Sequence, residues 1–303
     1  MSLFIINFAN KILRAMKQSV FFLSLIMLLA SSCDKSDDLD VKRGYADIEF
    51  SAYTVEHTGY DVTKATLNNT ISSLDFVVYA LNQDGSYSLY RHVEQSKSDA
   101  DFGRLALEQV AYGSYIVVAV GHNCSVHATF YSPKQVDFGG RVAETFIAYS
   151  ELIVDDNTER TQNLELNRIT SKFVLRALDA QPADVATVEF LITGGATDFD
   201  PSTGLAHTTS VTVRTVTIPA SQYSGTSVME YTFHTFLPNG NSVISVVANF
   251  KDSDGNILFS HSFSGAEMAV NEQTIYEGSV YSTTRAWNIG INDEWKDKKV
   301  VKF

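Results

Sequence analysis

Ala46-Asp47-Ile48-Glu49-Phe50-Ser51-Ala52-Tyr53 sets Ala46, Ile48, Phe50 and Ala52 in strict alternation with Asp47, Glu49, Ser51 and Tyr53. A period of two puts all four apolar residues on one face of a strand, whereas a helix would scatter them. The stretch therefore reads as a half-buried β-strand, and the chain on either side of it can be judged against that pattern.

Downstream, the strand signal continues. Leu74 to Ala80 is apolar apart from Asp75, and it leads through Asn82-Gln83-Asp84-Gly85 into Tyr87-Ser88-Leu89-Tyr90. Gly85 offers the positive φ that a tight hairpin needs. Leu105-Ala106-Leu107 and Tyr115 to Val120 follow, with Gly113-Ser114 expected as the turn between them, and then Leu164 and Leu166. After about residue 168 the pattern restarts, with strands expected at Lys172 to Leu178, Val188 to Thr193 and Val243 to Phe250. The last of these passes through Lys251-Asp252-Ser253-Asp254-Gly255-Asn256 into Ile257-Leu258-Phe259, an arrangement that echoes 74–90. Many short strands separated by turn residues predict an all-β protein built from antiparallel sandwiches. The restart predicts two of them, over 44–167 and 168–303, near the polar stretch Asp155 to Gln162.

Upstream the chain changes character. Lys11, Arg14 and Lys17 are the only charges before residue 34, and they precede an 11-residue apolar run, Val20 to Ala30, interrupted only by Ser24. A bilayer-spanning helix needs about 20 residues. A positive segment, a short apolar run and the small residues Ala30-Ser31-Ser32 before Cys33 instead make residues 1–32 a signal peptide. Met16 is an adequate start for it, so residues 1–15 read as dispensable. Asp34-Lys35-Ser36-Asp37-Asp38-Leu39-Asp40 is charged and without apolar period, so residues 33–43 read as a solvated acidic tether.

Removing residues 1–32 takes away three basic and no acidic residues and leaves 20 basic against 35 acidic, a net charge of −15. Affinity for phosphate backbones needs clustered Lys and Arg, so nucleic acid is excluded as a partner, and an anionic membrane surface with it. Cys33 and Cys124 are the only cysteines, so neither a disulfide framework nor a Cys-based zinc cage is expected.

Catalytic signatures are missing: there is no Gly-x-Ser-x-Gly elbow, no His-Glu-x-x-His and no phosphate loop. No enzyme activity and no cofactor is expected. His122-Asn123-Cys124-Ser125-Val126-His127 is the densest metal-capable segment, yet it reads as a loop following a strand, with Cys124 as a small buried hydrophobe. Asp252 to Asn256 lacks the late bidentate Glu of a calcium loop and reads as a hairpin turn. Asp198-Phe199-Asp200-Pro201 also reads as a turn. No metal is expected at any of them. Trp287, Ile289 and Ile291 alternate with Asn288, Gly290 and Asn292, as on a core-facing strand, and Val301 and Phe303 can share one face beyond Trp295.

Small residues before Cys33 resemble the lipobox of bacterial lipoproteins, with Ala30 where that pattern prefers Leu. The acidic segment after it is similar to the signal that sends lipoproteins of Bacteroides-type bacteria to the outer face of the outer membrane. The strand Tyr45–Tyr53, Leu74–Ala80 with its Asp84-Gly85 turn, Gly113-Ser114-Tyr115 into Ile116–Val120, Leu164-Glu165-Leu166-Asn167-Arg168, Lys172-Phe173-Val174-Leu175 and Trp287–Trp295 follow in order. Together they resemble the fimbrillin-associated anchor and minor subunits of Bacteroides-type (type V) pili. That resemblance implies two tandem transthyretin-like sandwiches, lipidation (palmitate) at Cys33 and a lipid-anchored place in a fimbrium on the outer membrane. It further implies that other pilin subunits are the partners, joined by donor-strand exchange.

Stalk subunits of this class lose their first strand to Arg-directed cleavage. Here Arg43 is the candidate, and the first alternating strand begins after it, so the chain keeps its strand as an anchor would. Trp287, Ile289, Ile291, Trp295, Val301 and Phe303 are the expected assembly residues. Their strand either completes the chain's own second sandwich or is donated to a neighbour. The alternative role is a surface lipoprotein that captures glycans for an outer-membrane transporter. An adhesive ligand is not specified.

Overall fold

The computed structural model describes residues 44–58, 61–65, 67–217, 229–281, 287–292 and 300–301. Cys33, Trp295 and Phe303 lie outside these, and for Trp287, Ile289, Ile291 and Val301 only the backbone is described. The first half runs β1 (Tyr45–Thr58), β2 (Asp61–Ala65), a one-turn helix α1 (Leu67–Thr70), β3 (Ser73–Leu81), β4 (Tyr87–Ser96), β5 (Arg104–Ala111), β6 (Gly113–His122), β7 (Thr129–Ser132), β8 (Gln135–Asp137), β9 (Thr145–Val154) and β10 (Thr161–Arg168). The second runs β11 (Ser171–Ala177), β12 (Thr187–Gly195), β13 (Asp198–Asp200), β14 (Leu205–Ala206), β15 (Ser210–Thr217), β16 (Met229–Thr235), β17 (Asn241–Lys251), β18 (Ile257–Ala269), β19 (Gln273–Gly278), β20 (Trp287–Asn292) and β21 (Val300–Val301). The all-β class expected from the sequence is the one observed.

The alternation of β1 works as the sequence demands. Ile48, Phe50 and Ala52 are buried, and they face Leu74, Phe76 and Val78 of β3 and Val117 and Ala119 of β6 across a single apolar core. On one side β1 pairs antiparallel with β5, from Tyr45↔Ala111 to Ser51↔Arg104. On the other it pairs parallel with β10, from Glu49↔Thr161 to Thr54↔Leu166. The opposing layer is antiparallel throughout, in the order β4-β3-β6-β9. Only Asn167↔Ile147 and Arg168↔Phe146 join the layers, so the sheet turns a corner there and closes on its own core.

The second half repeats this plan. β11 pairs antiparallel with β16 and parallel with β19, while β15-β12-β17-β18 forms the opposing layer. Seven strands thus recur in one order: β1, β3, β4, β5, β6, β9 and β10 correspond to β11, β12, β15, β16, β17, β18 and β19. The echo between 74–90 and 243–259 is therefore not a structural equivalence. The first stretch is the β3–β4 hairpin, whose counterpart is β12 with β15, whereas the second is β17–β18, the counterpart of β6–β9. Its core centres on Phe173, whose ring stacks on Phe233 at 4.9 Å and Tyr276 at 5.3 Å.

A third apolar cluster explains why β3 and β6 read as continuous apolar runs rather than alternating ones. Val77, Tyr79, Ile116, Val118 and Val120 point away from the first core and are buried again, under Val136, Phe138, Phe199 and Phe236. Strands covered on both faces lose their polar alternation. The cover is a small sheet, β14-β13-β8-β7, half from each part of the chain, with Asp198↔Asp137 and Phe199↔Val136 in register. At the same seam Arg168 contacts Glu144 at 2.6 Å and donates to Asn271 Oδ1 at 2.8 Å. Gly44–Phe303 accordingly packs as one unit.

Two local expectations change. Gly113 and Ser114 are the first residues of β6, and the bend falls at Tyr112. Asp198–Asp200 is the strand β13, with the turn after it. The polar stretch 155–162 holds a turn and the first residues of β10. The Asp84-Gly85 and Asp252–Gly255 turns are as expected, with Gly85 at φ 80° and Gly255 at φ 87°. Asp252 Oδ1 accepts the Asp254 and Asn256 amides, so its carboxylate is engaged in the turn itself.

Candidate functional site

Three places on this scaffold bear on function: the two ends of the chain and the covered face of the β4-β3-β6 layer.

At the N-terminal end, β1 starts at Tyr45, two residues beyond Arg43. No part of β1 lies upstream of Arg43. β1 is paired with β5 over Tyr45–Ser51 and with β10 over Glu49–Thr54, so its middle, Glu49–Ser51, is held on both sides.

At the C-terminal end, Trp287, Ile289 and Ile291 fall on β20, which pairs antiparallel with β19 from Gly278↔Trp287 to Gln273↔Asn292. Val301 falls on β21, which among the described residues meets β20 at Ile289↔Val301 and Gly290↔Val300. These four backbone positions are thus brought to the edge of the five-stranded sheet, on the far side of β19 from β11. Cys33, Trp295 and Phe303 are outside the described residues.

The covered face holds the polar group that the sequence left unexplained. Asp75 interrupts β3 on the same face as Val77 and Tyr79, and it is 3% exposed. His92 of β4 contacts its Oδ1 at 2.9 Å, and His122 of β6 contacts its Oδ2 at 3.3 Å. Strand register makes this meeting: Asp75 lies opposite Glu94 and Val120, so His92 and His122 are its diagonal neighbours two residues away. The Cys124 amide donates to His122 Nδ1 at 3.2 Å. That ring nitrogen is therefore the acceptor, and the proton sits on Nε2, donated to Asp75. Glu94 lies 4.0 Å from His92 Nε2 and 3.0 Å from His127 Nδ1.

Burial alone raises the Asp75 carboxyl, but hydrogen bonds from His122 and His92 outweigh it and hold it below its ordinary range. His92 is raised, chiefly by its bond to Asp75. Cys124 is a buried free thiol, pushed up to about 11 by desolvation, which is the inert behaviour expected of it. β6 ends at His122, so Asn123 to Ala128, with His127 among them, form the loop after a strand that the sequence led one to expect.

Beside His92 opens a cleft of about 560 Å³ between β3–β4 and β7. Tyr79, Tyr87, Leu89, Phe130 and Tyr131 line it. Tyr79 is 6% exposed and its hydroxyl has no hydrogen-bond partner, an unusual state for a buried polar group. Neither the cluster nor the cleft stood out in the sequence. The available signal was Asp75 itself, a lone charge inside an otherwise apolar strand.

The architecture is that of an all-β sandwich protein. No protein-family model and no curated protein matches the chain. Among solved structures it is similar to a fimbrial assembly protein of Parabacteroides distasonis, at 14% identity and a TM-score of 0.46 over 86% of this chain and 100% of that one. It is similar to a fimbrial anchor protein of Porphyromonas gingivalis, at 11% identity and a TM-score of 0.41 over 81% and 96%. A Bacteroides ovatus protein described as an adhesin gives 13% and 0.49 over 90% and 99%. Likeness of this degree leaves function to be argued from the chain itself.

Proposed function

We propose that this chain is a lipid-anchored protein of the cell surface, held at the outer membrane through Cys33, and that it serves as the membrane-anchored subunit of a type V pilus. The observation that carries the reading is the position of β1, which begins just after Arg43 and is paired on both sides. Cleavage at Arg43 removes only the tether and opens no groove. A subunit with no open groove cannot accept a strand and so sits at the end of a polymer. It can still donate one. Among the described residues β21 meets β20 at two register pairs at a sheet edge, and in this reading moving those pairs onto a neighbour sacrifices little. A partner subunit would supply backbone bonds along the whole strand and pockets for alternate side chains. In this reading residues 33–43 are the tether, and 44–167 and 168–303 are the two sandwich units.

Deleting Val300–Phe303 tests the joint. The expected result is a folded protein that stays in the membrane while fimbriae shed into the medium. A truncated protein that folds and still retains fimbriae would exclude strand donation by this segment.

A second reading, glycan capture at the cell surface, is favoured by the cleft beside His92, where Tyr131 is 64% exposed. Flat aromatic faces with a nearby hydroxyl suit sugar rings. Binding to a panel of polysaccharides that is lost in Tyr131→Ala would support it, and equal binding by the variant would remove it.

A further inference from the structure

We propose that Asp75, His92, Glu94 and His127 form a binding site for a divalent transition-metal cation of the zinc type, on the covered face of the β4-β3-β6 layer. The donor set fits that chemistry. Two imidazoles and two carboxylates suit zinc, whereas calcium and magnesium take oxygen donors alone.

Geometry agrees with the chemistry. Ligand bonds of about 2.1 Å around a tetrahedral zinc put neighbouring donor atoms about 3.4 Å apart. His92 Nε2 is 2.9 Å from Asp75 Oδ1 and 4.0 Å from Glu94 Oε1, and His127 Nδ1 is 3.0 Å from Glu94 Oε2. Donor atoms of Asp75, His92 and Glu94 all lie within 4.8 Å of one another. The donors of Asp75, His92 and Glu94 are close enough for small side-chain rotations to bring them onto one centre, and His127, which meets Glu94 alone, would complete the set by turning its exposed ring toward that centre.

The supporting contacts are also those of a metal site. His122 does not compete as a ligand, because the Cys124 amide occupies its Nδ1 and its Nε2 proton is given to Asp75 Oδ2. That bond fixes the carboxylate and leaves Oδ1 toward His92, the outer-shell role that orients metal ligands. Phe130 packs edge-on against His92 at 5.1 Å, and Phe138 against His122 at 5.0 Å, so both rings are held. Two carboxylates converge on a point from which β3 otherwise excludes charge, and a dication balances them. Access is open, since the side chains of His92, Glu94 and His127 are 28%, 48% and 85% exposed while Asp75 is 4%. Bound there, the ion would tie the β3–β4 hairpin to the loop after β6 and fix His92 in the wall of the cleft.

The test is calorimetric titration of the full chain, in detergent and stripped with chelator, with zinc chloride, alongside cobalt(II) absorption spectra. One zinc per chain is expected, with the intense visible bands of four-coordinate cobalt. Glu94→Gln and His127→Ala should each weaken binding at least 10-fold. His122→Gln should keep the stoichiometry with weaker binding, in the 10- to 100-fold range of outer-shell losses. His207→Gln, remote from the cluster, should change nothing. His127 is exposed, so its variant folds and keeps the comparison valid. Absence of zinc binding in the wild type, or equal binding in Glu94→Gln and His127→Ala, would overturn the proposal and leave a hydrogen-bonded network.

Discussion

Phe138, from the first half of the chain, stacks on Phe236, from the second, with ring centroids 6.2 Å apart and planes 23° from parallel. Phe199 joins them at 6.3 Å from Phe138 and 4.7 Å from Phe236. These three rings make the two sandwiches share a buried cluster. Phe138→Ala should cost about 3 kcal/mol or more, as large core truncations do. Because the lost contacts cross the seam, it should also split one thermal unfolding transition into two. Calorimetry of wild type and variant measures this, and a variant that still unfolds in one step, merely at lower temperature, would contradict the proposed division at 167/168.

Asp75 is buried with a charge, and its two histidines are what make that tolerable. Asp75→Ala leaves the His122 Nε2 proton without its acceptor, so a loss of about 3 kcal/mol is expected in urea unfolding with chelator present. The pH dependence has a definite sign. Asp75 is lowered from 3.8, so its contribution is present above that value and fades as pH falls through its folded pKa. His92 is raised from 6.5, so its contribution is complete below that value and fades as pH rises through its folded pKa. The gap between wild type and variant should be widest between pH 4 and 6.5 and narrow on both sides.

His234 behaves oppositely. Half-buried on β16, it is pulled down to about 3, first by desolvation and then by Lys172, Arg168 and Arg214. The folded protein therefore binds this proton less readily than the unfolded chain, and stability falls as pH drops below 6.5. His234→Gln removes that dependence. It should narrow the loss between pH 7 and pH 5 by up to about 2 kcal/mol, less whatever solvent screening takes back. Denaturant titrations at the two pH values supply the number, and an identical loss in both proteins would refute the assignment.

Cleavage at Arg43 should leave the core intact. β1 begins at Tyr45, so an Arg-specific protease acting there should release the tether and leave a fragment with the melting temperature of the parent. Deleting Tyr45–Thr54 should instead unfold the first half, because Leu105, Leu107, Leu164 and Leu166 lose the strand between them. Mass spectrometry paired with thermal melts distinguishes the cases.

The proposed lipidation at Cys33 makes a cellular prediction. Cys33→Ala should move the protein from the membrane to the soluble fraction and abolish palmitate labelling. Retention of both would show that another segment holds it.

The sequence alone determined that the protein beyond residue 44 is of the all-β class. It also placed β3, β6, β11, β12 and β17 within two residues at each end, because side-chain period and turn residues are local properties, while the short strands and β9, β15, β16 and β19 carried no such signal. Ile48, Phe50 and Ala52 announce a buried face without any partner being known, and Gly85 and Gly255 announce turns through their backbone freedom. The proposed amino-terminal signal is argued in the same local terms, from charge, apolar length and the cysteine read in order along the chain. Tertiary structure alone decided what meets across strands. That β1 runs parallel to β10, that Asp75 collects His92 and His122, and that Phe138 stacks on Phe199 and Phe236 are all consequences of register and closure between segments far apart in sequence. Pairing of that kind depends on which edges and faces remain to be buried once local strands have formed, and no run of residues carries that information by itself.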